Sequence, residues 1–325
     1  MKLTATELLG LSHGALGVGE SEGYVSLYRF SETQREYYQQ TNPHFFEKAL
    51  ATASVRLETV TDATAMCFSY RAKKTSGRTF CYFDLLVDGV LSAHVGKEIE
   101  GADEGTVTLP LPEGTHRVAL YFPALFEVRV KDVVLEGATF ALPVQKSLSM
   151  LALGDSITQG YDAVYPSLSY ANVVADTLGA TLLNQAIGGE VFNPGVVDGH
   201  LGFTPDMVTV AYGTNDYTFR KKEEIKRDAA EFYARVRRAY PTSKIFAILP
   251  IWRADCDAVT EAGSFEEVRL MVRAAAEAEG LTVLDGLSFV PHLPDFFSDG
   301  YLHPNDLGFG CYAKALLSDL KKHLA

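Results

Sequence analysis

The sequence lacks several features that mark specialised classes of protein. Only four of its 325 residues are cysteines, and they form neither a CxxC pair nor a spacing typical of zinc ligands. It has no run of about 18 apolar residues, which argues against a membrane span. Basic residues are few, 29 against 41 acidic ones, and the net charge of −12 disfavours nucleic acid and anionic membranes as partners. What remains is a globular composition, 47% hydrophobic and 22% charged.

The cysteines and the N-terminus indicate the cellular compartment in which the protein is expected. Cys67 and Cys81 both lie in apolar, strand-like runs, so buried free thiols are expected, with a disulfide between neighbouring strands as the alternative. The first ten residues contain Glu7 and no sustained apolar stretch, so no signal peptide is predicted. We expect a cytoplasmic protein, or a secreted one if a leader has been removed.

The two halves of the chain differ in pattern. Residues 54–141 consist of short alternating runs separated by turns such as Asp88-Gly89. In the run Phe126–Val134, apolar and charged residues alternate. This pattern predicts a β-sandwich or jelly roll over residues 1–145.

After Pro143 the pattern changes to strands that alternate with amphipathic helices. The predicted strands are Ser149–Leu153, Thr181–Asn184, Met207–Ala211, Ile245–Leu249 and Thr282–Leu284, and the predicted helices are Glu223–Ala239, Ser264–Glu279 and Asn305–Leu324. Such alternation is typical of a parallel sheet covered on both faces. We therefore predict an α/β domain over residues 146–325.

A serine follows the first strand of this second half. The segment Met150–Thr158 is an apolar strand that runs into Gly154-Asp155-Ser156. Because ligands of open parallel sheets bind beyond the carboxyl ends of the strands, Ser156 is a candidate nucleophile. The alternative is that Ser156 only caps the next helix.

Three later segments favour the nucleophile. Gly189 follows the second strand and can present its N–H unobstructed, Asn215 follows the third and offers a side-chain amide, and His303 precedes the last helix as a candidate base. All three lie where they can reach the same cleft. Asp155 and Asp216, beside these motifs, are predicted to brace turns through backbone N–H groups.

These motifs resemble the SGNH (GDSL) hydrolase superfamily. The matching segments are Gly154–Ser156, Gly188-Gly189, Gly213–Asp216 and His303-Pro304, in the family's order over residues 148–325. The resemblance implies a flavodoxin-like sheet in the order 2-1-3-4-5 and attack by Ser156. It also implies an oxyanion hole made by Ser156, Gly189 and Asn215, and ester hydrolysis without a metal or organic cofactor.

The partner of the histidine departs from the family pattern. The family usually has an acidic residue three positions before the histidine, but here Asp299 lies four before His303 and position 300 is Gly. A bulge at Gly300 would still bring Asp299 to the imidazole. The alternatives are a backbone carbonyl, which would leave a Ser–His dyad, or else Asp295 or Asp306.

Substrate recognition is less well defined by the sequence. Trp252, the only tryptophan, and Arg253 follow the fourth strand on the rim of the site, where they are candidates for substrate binding or for loop packing and a surface ion pair. The aromatic segment Tyr24–Phe46 is a candidate sugar groove, sandwich edge or oligomer contact. A sandwich ahead of such a domain resembles two-domain carbohydrate esterases that remove acetyl groups.

The predicted function is hydrolysis of O-acyl esters, with O-acetyl groups on a carbohydrate as the expected substrate. An oligosaccharide or small-molecule ester is the expected partner, with a homo-oligomer as a further expectation. Three alternatives remain: a short-chain lipase or acylhydrolase, an acyltransferase, and a non-catalytic carbohydrate-binding protein.

Overall fold

The computed structural model describes residues 1–324, and its N-terminal part is an antiparallel β-sandwich. Its strands are β1 Ser12–His13, β2 Gly17–Ser21, β3 Tyr24–Tyr28, β4 Arg56–Thr61, β5 Ala65–Lys74, β6 Phe80–Val87, β7 Val90–Glu98, β8 Ala102–Pro110, β9 His116–Tyr121, β10 Phe126–Glu136 and β11 Ala141–Pro143. One sheet has the order β1-β4-β9-β6-β7, with β11 also paired to β4, and the other has the order β2-β3-β10-β5-β8. The predicted β-rich N-terminal part is confirmed.

Side-chain alternation accounts for the sandwich. In β10, Phe126, Val128 and Val130 are buried in the core between the sheets, while Lys131 on the opposite face is only partly buried. β7 was not predicted. It is an edge strand whose residues are all exposed or partly exposed, so no buried face marks it in the sequence.

The C-terminal part is built on a parallel sheet. Its strands are β12 Leu148–Gly154, β13 Ala180–Ala186, β14 Met207–Ala211, β15 Lys244–Ile248 and β18 Thr282–Leu284, and a small hairpin adds β16 Val259–Thr260 and β17 Gly263–Ser264. The order is β13-β12-β14-β15-β18, the expected 2-1-3-4-5, with every pairing parallel. The proposed boundary between residues 145 and 146 falls between β11 and β12.

Helices cover this sheet on both faces. The described helices are α1 Ala5–Gly10, α2 Glu32–Thr41, α3 Pro43–Ala49, α4 Ser156–Gln159, α5 Tyr170–Leu178, α6 Thr214–Phe219, α7 Lys222–Ala239, α8 Phe265–Ala278 and α9 Asp306–Leu324. The three predicted helices match α7, α8 and α9 to within one residue at each end. α8 begins with a capping box, because Ser264 accepts from Glu267 N–H while the Glu267 carboxylate accepts from Ser264 N–H. No helix within residues 1–324 is both long and apolar enough to cross a membrane.

Three short helices in the described N-terminal part, α1, α2 and α3, were not predicted. α2 and α3 occupy most of the aromatic segment Tyr24–Phe46, and Phe30 and Tyr38 belong to the apolar core on one face of the parallel sheet. Local signals for them exist, namely a capping box from Ser31 to Gln34 and an Asn42 cap followed by proline. The segment therefore packs on the C-terminal part and is not simply an edge of the sandwich.

The cysteines are free thiols, as expected, but of the two expected to be buried Cys81 is buried and Cys67 is partly exposed. Cys67 lies in β5 and Cys81 in β6, which belong to different sheets of the sandwich, and neither forms a disulfide. Burial raises the pKa of the Cys81 thiol to about 12, so this sulfur stays protonated.

A buried ion cluster links the sandwich to the parallel-sheet part. The Glu58 carboxylate in β4 lies 2.9 Å from Arg56 Nε and 2.9 Å from Lys146 Nζ, and Arg117 also contacts it. Arg56 Nη1 donates in turn to Asp176 Oδ1 of α5 at 2.7 Å. Burial would raise the pKa of Glu58, but the neighbouring cations outweigh this effect and lower it to about 2.

Glu58→Gln should destabilise the protein by about 3 kcal/mol at neutral pH, because buried Arg56 loses one of its two carboxylate partners and keeps Asp176 alone. Since the folded-state pKa of Glu58 lies below its ordinary value of 4.5, the stability it contributes is complete above that pH and is lost as the pH falls towards 2. Denaturant unfolding of both proteins between pH 7 and pH 2.5 measures the difference, which should shrink in acid.

Glu47→Gln is the matched control, since Glu47 pairs only with exposed Lys73, and it should change stability by less than about 1 kcal/mol. A Glu58→Gln protein as stable as this control at pH 7 would contradict the role of the cluster.

Candidate active site

The serine lies where β12 ends and α4 begins. Ser156 is the first residue of α4, and the helix N-cap is Asp155, whose side chain accepts from Ile157 N–H at 3.0 Å. Asp155, and not Ser156, therefore caps this helix. The contact also agrees with the prediction that Asp155 braces the turn through a backbone N–H. The Ser156 N–H remains among the helix N-terminal donors that have no intrahelical acceptor.

Ser156, His303 and Asp299 form a connected line of side chains. Ser156 Oγ lies 2.9 Å from His303 Nε2, and His303 Nδ1 lies 2.7 Å from Asp299 Oδ2. With Nδ1–H donating to the carboxylate, Nε2 is free to accept a proton from the serine hydroxyl. This is the geometry that a nucleophile, a general base and an orienting carboxylate require.

The loop around Asp299 explains how a four-residue spacing works. Gly300 has a φ of 65° and turns the chain, while Phe297 and Pro304 form an antiparallel bridge that closes the loop. Asp299 Oδ1 accepts from the backbone N–H groups of Tyr301, Leu302 and His303, which leaves Oδ2 for the imidazole.

The same contacts set the charge of Asp299. Partial burial would raise its pKa, but the hydrogen bonds from His303 and the backbone N–H groups outweigh burial and hold it well below the usual range. Of the alternative acids, Asp306 lies near the backbone of Val164 and Tyr165 instead, and Asp295 accepts from Asn305 through its backbone carbonyl. The geometry thus favours Asp299.

Two groups near the serine have unused donors. Gly189 has a φ of 89°, and its N–H donates to no group among residues 1–324. Asn215 Nδ2 donates one hydrogen bond to Glu190 O at 2.9 Å, which orients the amide, and its second N–H has no acceptor among the same residues. Both are thus available to a ligand, as an oxyanion hole requires.

Three carboxyl groups beside these motifs are buried. Burial raises the pKa of Asp155, Glu190 and Asp216 to about 7 in each case. Each has a local partner: Ile157 N–H for Asp155, the Tyr38 hydroxyl for Glu190 and Phe192 N–H for Asp216. Their contacts are those of groups that brace turns, as predicted for Asp155 and Asp216.

The guanidinium N–H groups of Arg253 all donate to acceptors within the protein. Its guanidinium donates to the Asp255 carboxylate, to Thr214 through both the carbonyl and hydroxyl oxygens, and to the Tyr301 hydroxyl. Those contacts use all five N–H groups, and the side chain is 2% exposed. Arg253 therefore forms an ion pair in which the guanidinium is buried and the Asp255 carboxylate is partly exposed. Its contacts join the Asn215 turn to the histidine loop, and it has no donor left for a substrate.

Trp252 remains a candidate for substrate contact. It is partly exposed, its ring stacks on His292 with centroids 5.4 Å apart and planes at 13°, and Phe297 packs at 5.2 Å. Such packing holds the indole rigidly at the edge of the histidine loop.

The sequence did not single out a loop of the sandwich that reaches the histidine. Tyr161 packs on the His303 ring with centroids 5.0 Å apart, and its hydroxyl accepts from Ser76 Oγ at 2.6 Å and from Gly77 N–H at 2.8 Å. This loop connects β5 to β6. No local sequence motif marks it as part of the site, and only the tertiary structure brings it there.

Arg78 of the same loop neutralises a second carboxylate. It donates to both oxygens of buried Asp162, and its Nη2 lies 4.0 Å from Asp299 Oδ2. Asp162 Oδ2 lies 4.0 Å from His303 Nδ1. Asp162, Asp299 and His303 could present ligand atoms to a cation, but Asp299 is bonded to the imidazole and the Arg78 guanidinium already supplies the positive charge.

The fold is a doubly wound parallel sheet, and the line of serine, histidine and aspartate side chains lies beyond the carboxyl ends of its strands. Residues 152–310 match the model of the GDSL-like Lipase/Acylhydrolase family. The match confirms the predicted resemblance for this part of the chain and supports an esterase or acylhydrolase as its class. No curated protein matches the sequence.

Solved structures share the whole architecture. The salicylyl-acyltransferase SsfX3 from a tetracycline biosynthetic pathway is 21% identical over 96% of this chain and 94% of its own, with a TM-score of 0.82. A Bacteroides ovatus ATCC 8483 protein named as a GDSL-like lipase is 18% identical over 100% and 98%, with a TM-score of 0.78. A family two carbohydrate esterase from Clostridium thermocellum, in complex with cellohexaose, is 19% identical over 84% and 94%, with a TM-score of 0.68. At these identities they establish a common fold.

Asp299→Asn should lower kcat for ester hydrolysis by about 10²–10⁴-fold. An asparagine keeps the oxygen that accepts from the loop N–H groups, but its amide would face His303 Nδ1–H and favour the wrong tautomer. Steady-state kinetics with a chromogenic acetyl ester, together with a thermal melt close to that of the wild type, gives the measurement. Activity within a few-fold of wild type would instead favour a Ser–His dyad.

Arg78→Met should destabilise the protein by about 3 kcal/mol at pH 7, because it leaves the buried carboxylate of Asp162 without its counter-charge. Denaturant unfolding of both proteins measures the difference. Arg71→Met is the control, since Arg71 pairs with Glu22 and Glu104 on the surface, and it should change stability by less than about 1 kcal/mol. Equal stability of the two variants would contradict the role of Arg78.

Proposed function

We propose that the protein is a serine esterase that hydrolyses O-acyl esters, with O-acetyl groups on a carbohydrate as the substrate class. The observation that carries this proposal is the line of hydrogen bonds from Ser156 Oγ through His303 to Asp299, at 2.9 Å and 2.7 Å. Membership of residues 152–310 in an acylhydrolase family supports the same chemistry.

In the first half-reaction, Ser156 Oγ bonds to the acyl carbon while His303 Nε2 takes the hydroxyl proton. The N–H groups of Ser156, Gly189 and Asn215 stabilise the oxyanion. The tetrahedral intermediate collapses with cleavage of the bond to the alcohol oxygen, and the imidazolium returns its proton to that oxygen as the alcohol leaves. Asp299 holds the imidazole in the required tautomer and favours its cation.

Water completes the cycle. His303 accepts a proton from water as the water oxygen attacks the acyl carbon, and the bond to Ser156 Oγ breaks as the proton passes to the serine. The products are a carboxylic acid and the free alcohol. All of these proton transfers use one base, so the proposed chemistry needs neither a metal nor an organic cofactor.

Two observations support a carbohydrate as the alcohol. The fold is shared with a family two carbohydrate esterase whose structure contains cellohexaose. Trp252 is also held rigidly beside the histidine loop by His292 and Phe297, and an aromatic face is a common platform for a sugar ring.

Acyl transfer is a second candidate. The similarity to a salicylyl-acyltransferase extends over 96% of this chain with a TM-score of 0.82. The acyl-Ser156 intermediate would be the same, and an acceptor alcohol would replace water in the second half-reaction. Adding sugar or alcohol acceptors to the assay and analysing the products by mass spectrometry separates the two outcomes.

The deciding experiment is a substrate panel with Ser156→Ala as the blank. Acetylated xylo- and manno-oligosaccharides are compared with acyl esters of increasing chain length, and we expect acetyl esters to be cleaved fastest. Ser156→Ala should lose about 10⁴-fold or more in kcat, because the nucleophile is absent.

Ser92→Ala, an exposed serine on β7, is the matched control and should keep full activity. Wild-type activity in Ser156→Ala would refute the serine mechanism. Preference for long acyl chains would replace the deacetylase by a lipase while keeping the esterase. Tight sugar binding without any hydrolysis would favour the non-catalytic alternative.

A further inference from the structure

Lys48 reaches the glycine turn from outside the parallel-sheet part. It lies in the last turn of α3, and its Nζ donates to Gly188 O at 2.6 Å. A Cβ added at Gly189 would lie 3.6 Å from the same Nζ. The ammonium therefore stands directly against the Gly188-Gly189 peptide.

The carbonyl that Lys48 binds and the N–H proposed for the oxyanion hole belong to one peptide group. Gly188 C=O and Gly189 N–H share a planar, conjugated unit, so fixing the oxygen also fixes the direction of the N–H. A cationic donor makes a stronger hydrogen bond than a neutral one, and hydrogen bonds at the two ends of an amide polarise one another. Lys48 thus both orients the Gly189 N–H and makes it a better donor.

The turn is held firmly on its other side, so the effect is confined to this peptide. Gly188 N–H donates to Gln159 Oε1 at 2.7 Å, and Gln159 lies in α4 three residues after the serine. Gly189 has a φ of 89°, a conformation that few other residues adopt without strain. The hydrogen bond from Lys48 Nζ to Gly188 O is therefore the contact of this peptide that a substitution at residue 48 would change.

The placement of α3 does not depend on the Lys48 side chain. Arg29 Nη2 donates to the backbone carbonyl of Lys48 at 3.0 Å, and Arg29 Nη1 donates to Asn184 O and Ala186 O at 2.9 and 2.7 Å at the end of β13. These contacts involve only backbone atoms of residue 48. Substitution of its side chain should therefore leave α3 docked.

We infer that Lys48 is a positioning residue for the oxyanion hole, a role that rests on the proposed function. It acts through the Gly188-Gly189 peptide on the tetrahedral intermediate and does not itself touch the reacting atoms. The N-terminal part of the chain would then contribute to the chemical step through α3.

Lys48→Met should lower kcat about tenfold and change KM less than about twofold, because the interaction that it weakens is made in the transition state. The loss should be smaller than the 10²–10³-fold that removal of a whole oxyanion donor causes. The affinity for a boronic acid that mimics the tetrahedral intermediate should fall in the same proportion as kcat/KM.

Lys48→Arg keeps the charge and should restore most of the activity, whereas Lys48→Gln keeps a neutral donor and should be intermediate. If Lys48→Met does not fold, the comparison of Arg with Gln makes the same test. Lys73→Met is the matched control, since it removes a charge that pairs only with Glu47 on the surface, and it should retain full activity.

Three results would overturn the inference: a Lys48→Met protein within twofold of wild type in kcat, an unchanged boronic acid affinity, or a folded Lys48→Arg protein as impaired as Lys48→Met. Ser156→Ala in the same assay keeps the two hypotheses apart. If Ser156→Ala keeps its activity, the proposed esterase mechanism is wrong. If Ser156→Ala is inactive but Lys48→Met is fully active, only the role of Lys48 is wrong.

Discussion

The architecture depends on one buried cation that contacts backbone carbonyls and has no carboxylate partner among residues 1–324. The Arg29 guanidinium donates to the backbone carbonyls of Lys48, Ala51, Asn184 and Ala186, and the side chain is fully buried. A guanidinium with five donors can satisfy four carbonyls from different segments at once. It thereby joins the end of β3, the end of α3 and the carboxyl end of β13, directly before the glycine turn.

Through such contacts the N-terminal part contributes to the site without supplying the nucleophile or the base. Lys48 holds the turn beside the serine, and the loop with Ser76 and Arg78 holds Tyr161 and Asp162 beside the histidine. The two halves meet around opposite ends of the line from Ser156 to Asp299. A sandwich packed against a catalytic sheet in this way can stabilise the reacting groups whether or not it also binds sugar.

Much of this structure was predictable because its signals are local. The strand-turn-helix around Ser156, the glycine turn and the last helix each follow from a few adjacent residues. The 2-1-3-4-5 order of the sheet was implied by the resemblance to the SGNH hydrolases. The four-residue spacing between Asp299 and His303 also works for a local reason, since Gly300 turns the loop with a φ of 65°. Edge strand β7 was missed because it has no buried face. Helices α2 and α3 have capping signals, but their buried apolar residues are Tyr38 and Ala49, which are too few to set a helical period.

The sequence by itself determined the class of the fold and named the candidate serine, histidine and oxyanion donors. Ser156, Gly189 and Asn215 each follow a strand of the parallel sheet, and His303 precedes the last helix. Only the tertiary structure decided what surrounds them. Arg253 is engaged inside the protein, and Arg78 and Lys48 lie beside groups 84 and 140 residues away in the chain. Contacts of that range arise from how two halves pack, and no local pattern in either half encodes the partner.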